Sequence, residues 1–455
     1  MKRFPTPHVL DEFARHFDRA GYRCFLVGGA LRNIALRGEP TDYDIATDAH
    51  PREVRKLFRR VIPTGIQHGT VTVLYKKQQF EVTTFRTEST YSDARRPDSV
   101  RFSDSIEEDL ARRDFTINGM ALDLVTGEFH DPHGGLEDLK SGKVRAIGDP
   151  AERFTEDGLR VMRAIRFATQ LEFDLDPETR EAIPAALPSL ERVSAERKRD
   201  ELTKTIGADH PARGILLMHE TGVLSQLIPE LAACDSVPQG DGVNRTVLTH
   251  SAYACEGAPA DRLHIRLAAL LHDVGKVDTY EEDGEVGMRF HGHDAVSAEH
   301  ARAILGRLRF SNDVTDTVAH LVRHHMFDYD PTAWTDATVR RFVSRVGAEH
   351  IGDLILLRRA DSYGKAGRPV RDRRLEALEE HVHRVLAADS ALSVRDLAVN
   401  GHILHEEAGV PKGPLMGRTL EFLLESVLQD PSQNTRETLV EIARNYYEQR
   451  LHTAD

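Results

Sequence analysis

Cysteine is scarce in this chain: Cys24, Cys234 and Cys255 are the three among 455 residues, and no CxxC spacing occurs. A disulfide framework is thereby excluded, and a reducing cytoplasm is the expected compartment. Long apolar runs are missing as well. No stretch reaches the ~18 residues that a membrane span requires, and the opening MKRFPTPHVLDEFARHF lacks the uninterrupted apolar segment of a secretory leader. No membrane association is expected. Repeats and low-complexity tracts are also lacking. Finally, basic charge is not in excess: 60 Lys+Arg against 73 Asp+Glu give a net charge of −13. That balance argues against a surface coated for nucleic acid, while leaving room for a local basic groove.

What is present is an ordinary globular composition, 40% hydrophobic and 29% charged, in a chain long enough for two to four domains. Up to about residue 150 helix and strand signals alternate. Leu10, Phe13, Ala14, Phe17 and Ala20 recur at helical spacing and stop at Gly21. Segments 24–27, 43–46, 70–75 and 80–85 read as strands, the last two joined by a polar turn at 76–79. Ser105 with Glu108 forms a capping-box signature for a following helix. After Gly148-Asp149-Pro150 strand signals nearly vanish. Helical periodicity runs on, broken at Pro184, Pro188, Gly207, Pro211 and Pro229, with a linker-like stretch at 236–244, a break at 364–369 and turns at 409–417. The expected fold is α+β: a small mixed-sheet head at 1–150, a helical neck at 151–235, a helical body at 245–375 and a helical tail at 390–455.

Two head motifs carry chemistry. Gly28-Gly29-Ala30-Leu31-Arg32 follows a buried strand and opens a helical run. Glycines there admit a phosphate to the backbone, while the helix N-terminus and Arg32 supply donors; a plain tight turn is the other reading. Neither GxGxxG nor GxxxxGK[ST] occurs nearby, so Rossmann and P-loop assignments lack their fingerprints. Asp42-Tyr43-Asp44 follows, and two carboxylates two apart on a strand share a face and can reach a single Mg²⁺ suited to phosphoryl transfer, with a solvated DxD in a turn as the other reading. Glu81, on a neighbouring strand, is a candidate third carboxylate or an ordinary edge-strand acid.

With FLVGGALRN, TDYDIAT, GIQHGTVTV, FEVTTFRTE, ARRDFTINGMALD, DPHGGLEDLKSGKVRAIGDP and FTEDGLRVMRAIRFA in this order, the first ~170 residues resemble the bacterial (class II) tRNA nucleotidyltransferases. That family of CCA-adding enzymes also includes bacterial poly(A) polymerases, and its head is polymerase-β-like. Asn33 is a departure, since the family usually has Asp after the arginine. The resemblance implies that Gly28, Gly29, Arg32 and Arg113 hold the nucleotide triphosphate and that Asp42, Asp44 and Glu81 are catalytic. Arg113 is expected on the helix after the capping box. A polar stretch between Thr87 and Phe102, with Ser92-Asp93-Ala94-Arg95-Arg96-Pro97, corresponds to a family loop needed for the final A.

Glu156-Asp157-Gly158-Leu159-Arg160 continues to Arg163 and Arg166, with Asp157, Arg160 and Arg163 on adjoining turns of one helix face. Such acid–Arg pairs often only decorate a solvated helix. An ionised Asp accepts and an Arg donates, however, so Asp157 and Arg160 complement the amino group and ring nitrogen of cytosine or adenine and mismatch guanine and uracil. The family uses its EDxxR motif as such a template, and Arg163 and Arg166 then hold base or triphosphate.

In the body, His250, His272-Asp273, His293, His324 and Asp361 follow the order of the HD-domain pattern. Lone buried histidines are usually structural, but this donor set suits Ni, Mn, Co, Fe or Zn. In some members of the resembled family this domain hydrolyses phosphate esters and in others it is vestigial; the ligand order here is that of the hydrolytic version, and the tail reads as a tRNA contact or as a core-packing helical pair. The expected function is addition of C, C and A to the tRNA 3′ end from CTP and ATP with Mg²⁺. The rival readings are an A-adding enzyme, a poly(A) polymerase, and an HD phosphohydrolase whose head merely docks RNA.

Overall fold

The computed structural model describes residues 4, 6–36, 38, 42–66, 69–88, 100–239, 246–283, 287–388 and 391–451. The chain divides into two units, Met1–Ser236 with Ala303–Asn312 and Val237–Arg302 with Asp313–Asp455.

The first unit begins with α1 (His8–Asp18), whose Leu10, Phe13, Ala14 and Phe17 are buried at helical spacing. Strand β1 (Cys24–Val27) is buried along its whole length and runs directly into α2 (Gly28–Ala35). Strand β2 (Tyr43–Thr47), α3 (Pro51–Leu57), β3 (Val61–Gly65), β4 (Thr70–Tyr75) and β5 (Gln78–Thr84) follow. Between β4 and β5, Lys76 and Lys77 both take positive φ (48° and 66°), as a tight hairpin turn demands, so β5 starts two residues earlier than the sequence suggests. A short pair, β6 (Arg86–Glu88) with β7 (Val100–Phe102), precedes α4 (Ile106–Ala111). Strands β8 (Ala121–Asp123) and β9 (Phe129–His130) complete a seven-stranded sheet of order β3-β4-β5-β2-β1-β8-β9. All its pairings are antiparallel except β2 with β5. Phe13 stacks on Phe80 of β5 with centroids 4.0 Å apart, which fixes α1 on the sheet.

Ser105 does cap α4 by accepting from the Glu108 N–H, but the Glu108 carboxylate turns to Ser103. The helix ends at Ala111, so Arg112 is its C-cap and Arg113 lies beyond it, not on it as expected. After α5 (Gly135–Ser141) and a two-residue parallel pair, β10 (Lys143–Val144) with β11 (Asp174–Leu175), the unit is helical. Its helices are α6 (Pro150–Glu156), α7 (Leu159–Leu171), α8 (Pro177–Glu191), α9 (Ala195–Ile206), α10 (Pro211–Glu220), α11 (Val223–Leu227) and α12 (Pro229–Ala233). Pro184 and Pro188 do not break the chain; they lie inside α8. Their spacing of four keeps both on one side of the helix, so the lost donors fall along one stripe while Ile183, Ala186 and Leu190 stay buried.

The second unit comprises α13 (Val247–Gly257), α14 (Leu263–Leu271), a hairpin of β12 (Tyr280–Asp283) and β13 (Gly287–Phe290), and then α15 (His293–Arg307), α16 (Asn312–His324), α17 (Asp336–Val346), α18 (Ala348–Ala366) and α19 (Arg373–Ala387). The hairpin was not expected in a helical body. A Cβ on Gly364 would sit 2.8 Å from the His250 carbonyl oxygen, and one on Gly257 would sit 2.5 Å from the Tyr363 Cβ. These glycines let α13 and α18 approach closely, bringing His250 beside Asp361. The tail, α20 (Gly401–Ala408), α21 (Pro414–Gln429) and α22 (Arg436–Leu451), closes over Leu404, Val410, Leu423, Val427 and Leu439. Among the described residues no helix is long and apolar enough to cross a membrane.

Candidate active site and metal centre

In the parallel ladder of β2 and β5 Asp44 is registered opposite Glu81, so the third carboxylate is set beside the pair by sheet register. Burial pushes the Asp44 carboxyl up, against the pull of Arg113 and of the Gly29 N–H that it accepts, and Asp42 adds to the rise. Burial also raises Glu81, reinforced by the charges of Asp44 and Asp42. Neighbouring carboxylates such as Asp44 and Glu81 fit a hard divalent cation, while Asp42 lies exposed just before β2. This trio is more open than the donor clusters of the second unit; among the described residues, only there do three donors approach within 4.8 Å of one another.

Gly28 has φ +63°, and a Cβ there would lie 2.9 Å from Asp44 Oδ2 and 3.2 Å from Arg113 Nη1. Glycine is required on both counts. Asp109, itself buried, holds both arginines after α4: its Oδ1 takes Arg112 Nη2 at 2.7 Å and its Oδ2 takes Arg113 Nη2 at 3.1 Å. Arg32 Nη1 donates to Asn118 Oδ1 at 2.7 Å, and Nη2 to Asn33 Oδ1 at 3.3 Å, so Asn at position 33 still holds the arginine. Burial, then the nearby Arg166, brings Arg32 down to about 10. The Nε atoms of Arg32 and Arg113 are buried without a hydrogen-bond acceptor.

The other wall of the cleft is α7. Asp157 is not on this helix: it sits in the break after α6 with φ −141°, and its Oδ1 accepts the Leu159 N–H at 3.0 Å. Arg197, from α9, meets the same carboxylate. Arg160 Nη1 donates to Glu156 Oε2 at 2.6 Å and to the Arg153 carbonyl at 2.9 Å. Arg163 pairs with Asp114, and Arg166 Nε lies 2.6 Å from Glu201 Oε2. The guanidiniums of Arg32, Arg163 and Arg166 surround the Phe167 ring at 4.9, 5.3 and 4.1 Å from its centroid. Asp44, Glu81, Gly28, Arg113, Asp157 and Arg160 thus line one cleft of about 890 Å³. The residues that sequence reasoning missed are the carboxylates and the amide that hold these arginines, Asp109, Asp114, Asn118 and Glu201, together with Arg197. The expected loop with Ser92 to Pro97 lies outside the described residues.

In the second unit two buried donor groups share one residue: His250, His272 and Asp273 form the first, and Asp273, His293 and His325 the second. Asp273 Oδ2 lies 3.4 Å from His250 Nε2 and 3.2 Å from His272 Nε2, while its Oδ1 lies 3.3 Å from His293 Nε2. Asp361 Oδ1 joins the first group, 3.2 Å from His250 Nε2. His272, His293 and His325 each direct Nδ1 at the carbonyl three residues earlier, at 2.7–2.8 Å, which turns Nε2 inward as a donor atom. Burial pushes His272 down, but Asp273 and Asp361 overcome it and take it up to about 9, so this point favours positive charge. The donor chemistry fits a divalent metal.

His324 is not part of the centre. Its ring lies against His320 and shares that surface with His350, and burial with His320 takes it down to about 4. The adjacent His325 is the inward residue. Lys276 and Arg358 stand next to the ligands, at 2.8 Å from Asp273 Oδ2 and 2.6 Å from Asp361 Oδ2, and line a pocket of about 570 Å³ with Arg289 and Lys365.

Residues 24–145 match the family described as "Poly A polymerase head domain", 172–235 match "Probable RNA and SrmB- binding site of polymerase A", and 245–366 match "HD domain". A CCA-adding enzyme of Lactobacillus helveticus is 47% identical over 232 residues, covering 51% of this chain and only 56% of that protein. One from Geobacillus thermodenitrificans is 33% identical over 425 residues, covering 93% of both chains. Among solved structures, the Bacillus stearothermophilus CCA-adding enzyme in complex with CTP superimposes with a TM-score of 0.75 at 29% identity, covering 99% of this chain and 100% of that one.

Proposed function

The chain belongs to the family of CCA-adding enzymes, and on that premise we propose that it adds C, C and A to the 3′ end of tRNA, taking CTP and ATP in turn, in the cytoplasm. The observation that carries this reading is the single cleft in which Asp44 and Glu81 face Asp157 and Arg160. Asp42, Asp44 and Glu81 would hold Mg²⁺, which when bound activates the attacking hydroxyl and neutralises charge on the phosphates. Arg32 and Arg113 bind the triphosphate, and Gly28 leaves room for Asp44 beside it. Asp157 accepts from the amino group of cytosine or adenine while Arg160 donates to the adjoining ring nitrogen. Uracil and guanine would leave both groups unpaired, at ~1–3 kcal/mol each. The tRNA 3′-hydroxyl attacks the α-phosphate and pyrophosphate departs, with catalysis arising chiefly from positioning and charge.

Purified protein offered tRNA ending at the discriminator base, at C and at CC, with each nucleotide and Mg²⁺, tests the proposal. Addition of CCA followed by arrest supports it. Extension of the CC form alone identifies an A-adding enzyme, open-ended A tails a poly(A) polymerase, and no incorporation a docking head.

The convergence on Asp273 favours a second activity. With a transition metal such as Ni, Mn, Co or Fe held by His250, His272, Asp273 and Asp361, and by His293 and His325, the cationic pocket would take a phosphate ester for hydrolysis. Phosphatase assays with Ni²⁺ or Mn²⁺, on the wild type and on His272→Ala, decide this; absence of metal-dependent turnover refutes it.

A further inference from the structure

We propose that Arg197 is a positioning residue for nucleotide choice, holding the Asp157 carboxylate so that a single acceptor position remains for the base. The inference rests on the reading that Asp157 and Arg160 select the nucleotide.

Arg197 stands forty residues after Asp157, in α9. Its Nη2 donates to Asp157 Oδ2 at 2.8 Å and its Nη1 to Oδ1 at 3.3 Å. Oδ1 also accepts the Leu159 N–H at 3.0 Å. A carboxylate offers about two acceptor positions per oxygen. Both positions on Oδ1 are therefore filled and one on Oδ2 is taken, which leaves one on Oδ2. The two-pronged contact also fixes the plane of the carboxylate, because rotation would break both bonds together.

The donor half of the pair is held differently. Arg160 is fixed by Glu156, four residues earlier within the same motif, and by the Arg153 carbonyl. Among the described residues Asp157 and Arg160 are not ion-paired with each other, and both line the cleft. Acceptor and donor are thus oriented by two separate ion pairs, one local and one supplied by α9. Since a guanidinium only donates, Arg197 pairs with Asp157 only as an acceptor. An amino group of cytosine or adenine satisfies the open position, and a carbonyl of uracil or guanine does not. Lysine at this position would keep the charge and lose the fork.

A purely structural role, tying α9 to the α6–α7 break, would alter stability but not base preference. The test is single-nucleotide extension of tRNA ending at the discriminator base, with CTP and UTP assayed separately, for the wild type, Arg197→Met, Arg197→Lys and Asp157→Ala. Arg197→Met is expected to lower the CTP-over-UTP ratio of kcat/KM by about tenfold or more, with Arg197→Lys intermediate and Asp157→Ala at least as impaired. A wild-type ratio in Arg197→Met alongside a collapsed ratio in Asp157→Ala overturns the role of Arg197 alone. A wild-type ratio in Asp157→Ala overturns the template reading, and this inference with it. If Arg197→Met does not fold, Arg197→Lys decides: a folded variant with the wild-type ratio overturns the proposal.

Discussion

Arg163 donates through both Nε and Nη2 to a single oxygen of Asp114, Oδ2, the Nε contact measuring 2.7 Å. The other oxygen of Asp114 accepts from the Asn118 side chain at 3.0 Å and from the Phe115 N–H at 2.9 Å. Burial alone would raise this carboxyl, but Arg163 and these bonds hold it well below its ordinary value of 3.8. A depressed folded-state value stabilises the fold above the unfolded value and is lost as pH falls through the folded one. Asp114→Asn is therefore expected to cost about 3 kcal/mol near neutral pH. The difference from wild type should narrow below about pH 4. Urea unfolding followed across this range checks it; a gap that does not change with pH would contradict the assignment.

Gly28→Ala should damage the catalytic centre more than the fold. The new methyl group would press on Asp44 Oδ2 at 2.9 Å from a backbone at φ +63°. Strain of about 1–2 kcal/mol is expected in thermal unfolding, with nucleotide incorporation reduced on the order of a hundredfold or more. Wild-type kinetics in a folded variant would show that the cradle is dispensable.

Asp44→Asn should abolish incorporation while leaving the circular dichroism spectrum unchanged, and chelation of Mg²⁺ should reproduce that loss in the wild type. Glu81→Gln, registered opposite Asp44, should weaken the apparent affinity for Mg²⁺, with activity partly restored at high Mg²⁺. Titration of activity with Mg²⁺ in the three proteins distinguishes a ligand from a bystander.

The two adjacent histidines at the end of α16 should behave differently. After loading with Mn²⁺ or Ni²⁺ and desalting, His325→Ala and Asp273→Asn are expected to retain less metal per chain than the wild type, and His324→Ala the same amount. Elemental analysis by mass spectrometry gives the number. Equal loss from both histidine variants would place His324 at the centre after all.

Much of the head is legible in the sequence because its signals are local. β1 and β4 have the expected bounds, and Asp44 lies on the expected strand, whereas Asp42 sits exposed in a bend just before β2 rather than on the same strand face. What sequence reading cannot reach is register and distance along the chain. Glu81 meets Asp44 through a parallel ladder, and Asp114 meets Arg163 forty-nine residues later. Phase matters just as much. A step of one residue turns a helix by about 100°, so at the C-terminal end of α16 the choice between His324 and His325 depends on where the helix stops. Arg113 lies off α4 for the same reason, and Pro184 and Pro188 sit inside α8 because burial of its apolar face outweighs the tendency of proline to break a helix.

Folding gathers the guanidiniums of Arg32, Arg163 and Arg166 around the ring of Phe167. Burial lowers Arg32 and the neighbouring Arg166 adds to it, while Arg163 and Arg166 are paired with Asp114 and Glu201. On the proposed reading, a triphosphate would meet cations that the fold has already assembled, with few left to recruit. On the same reading, nucleotide occupancy should be felt as rigidity across α2 and α7 as much as in chemistry.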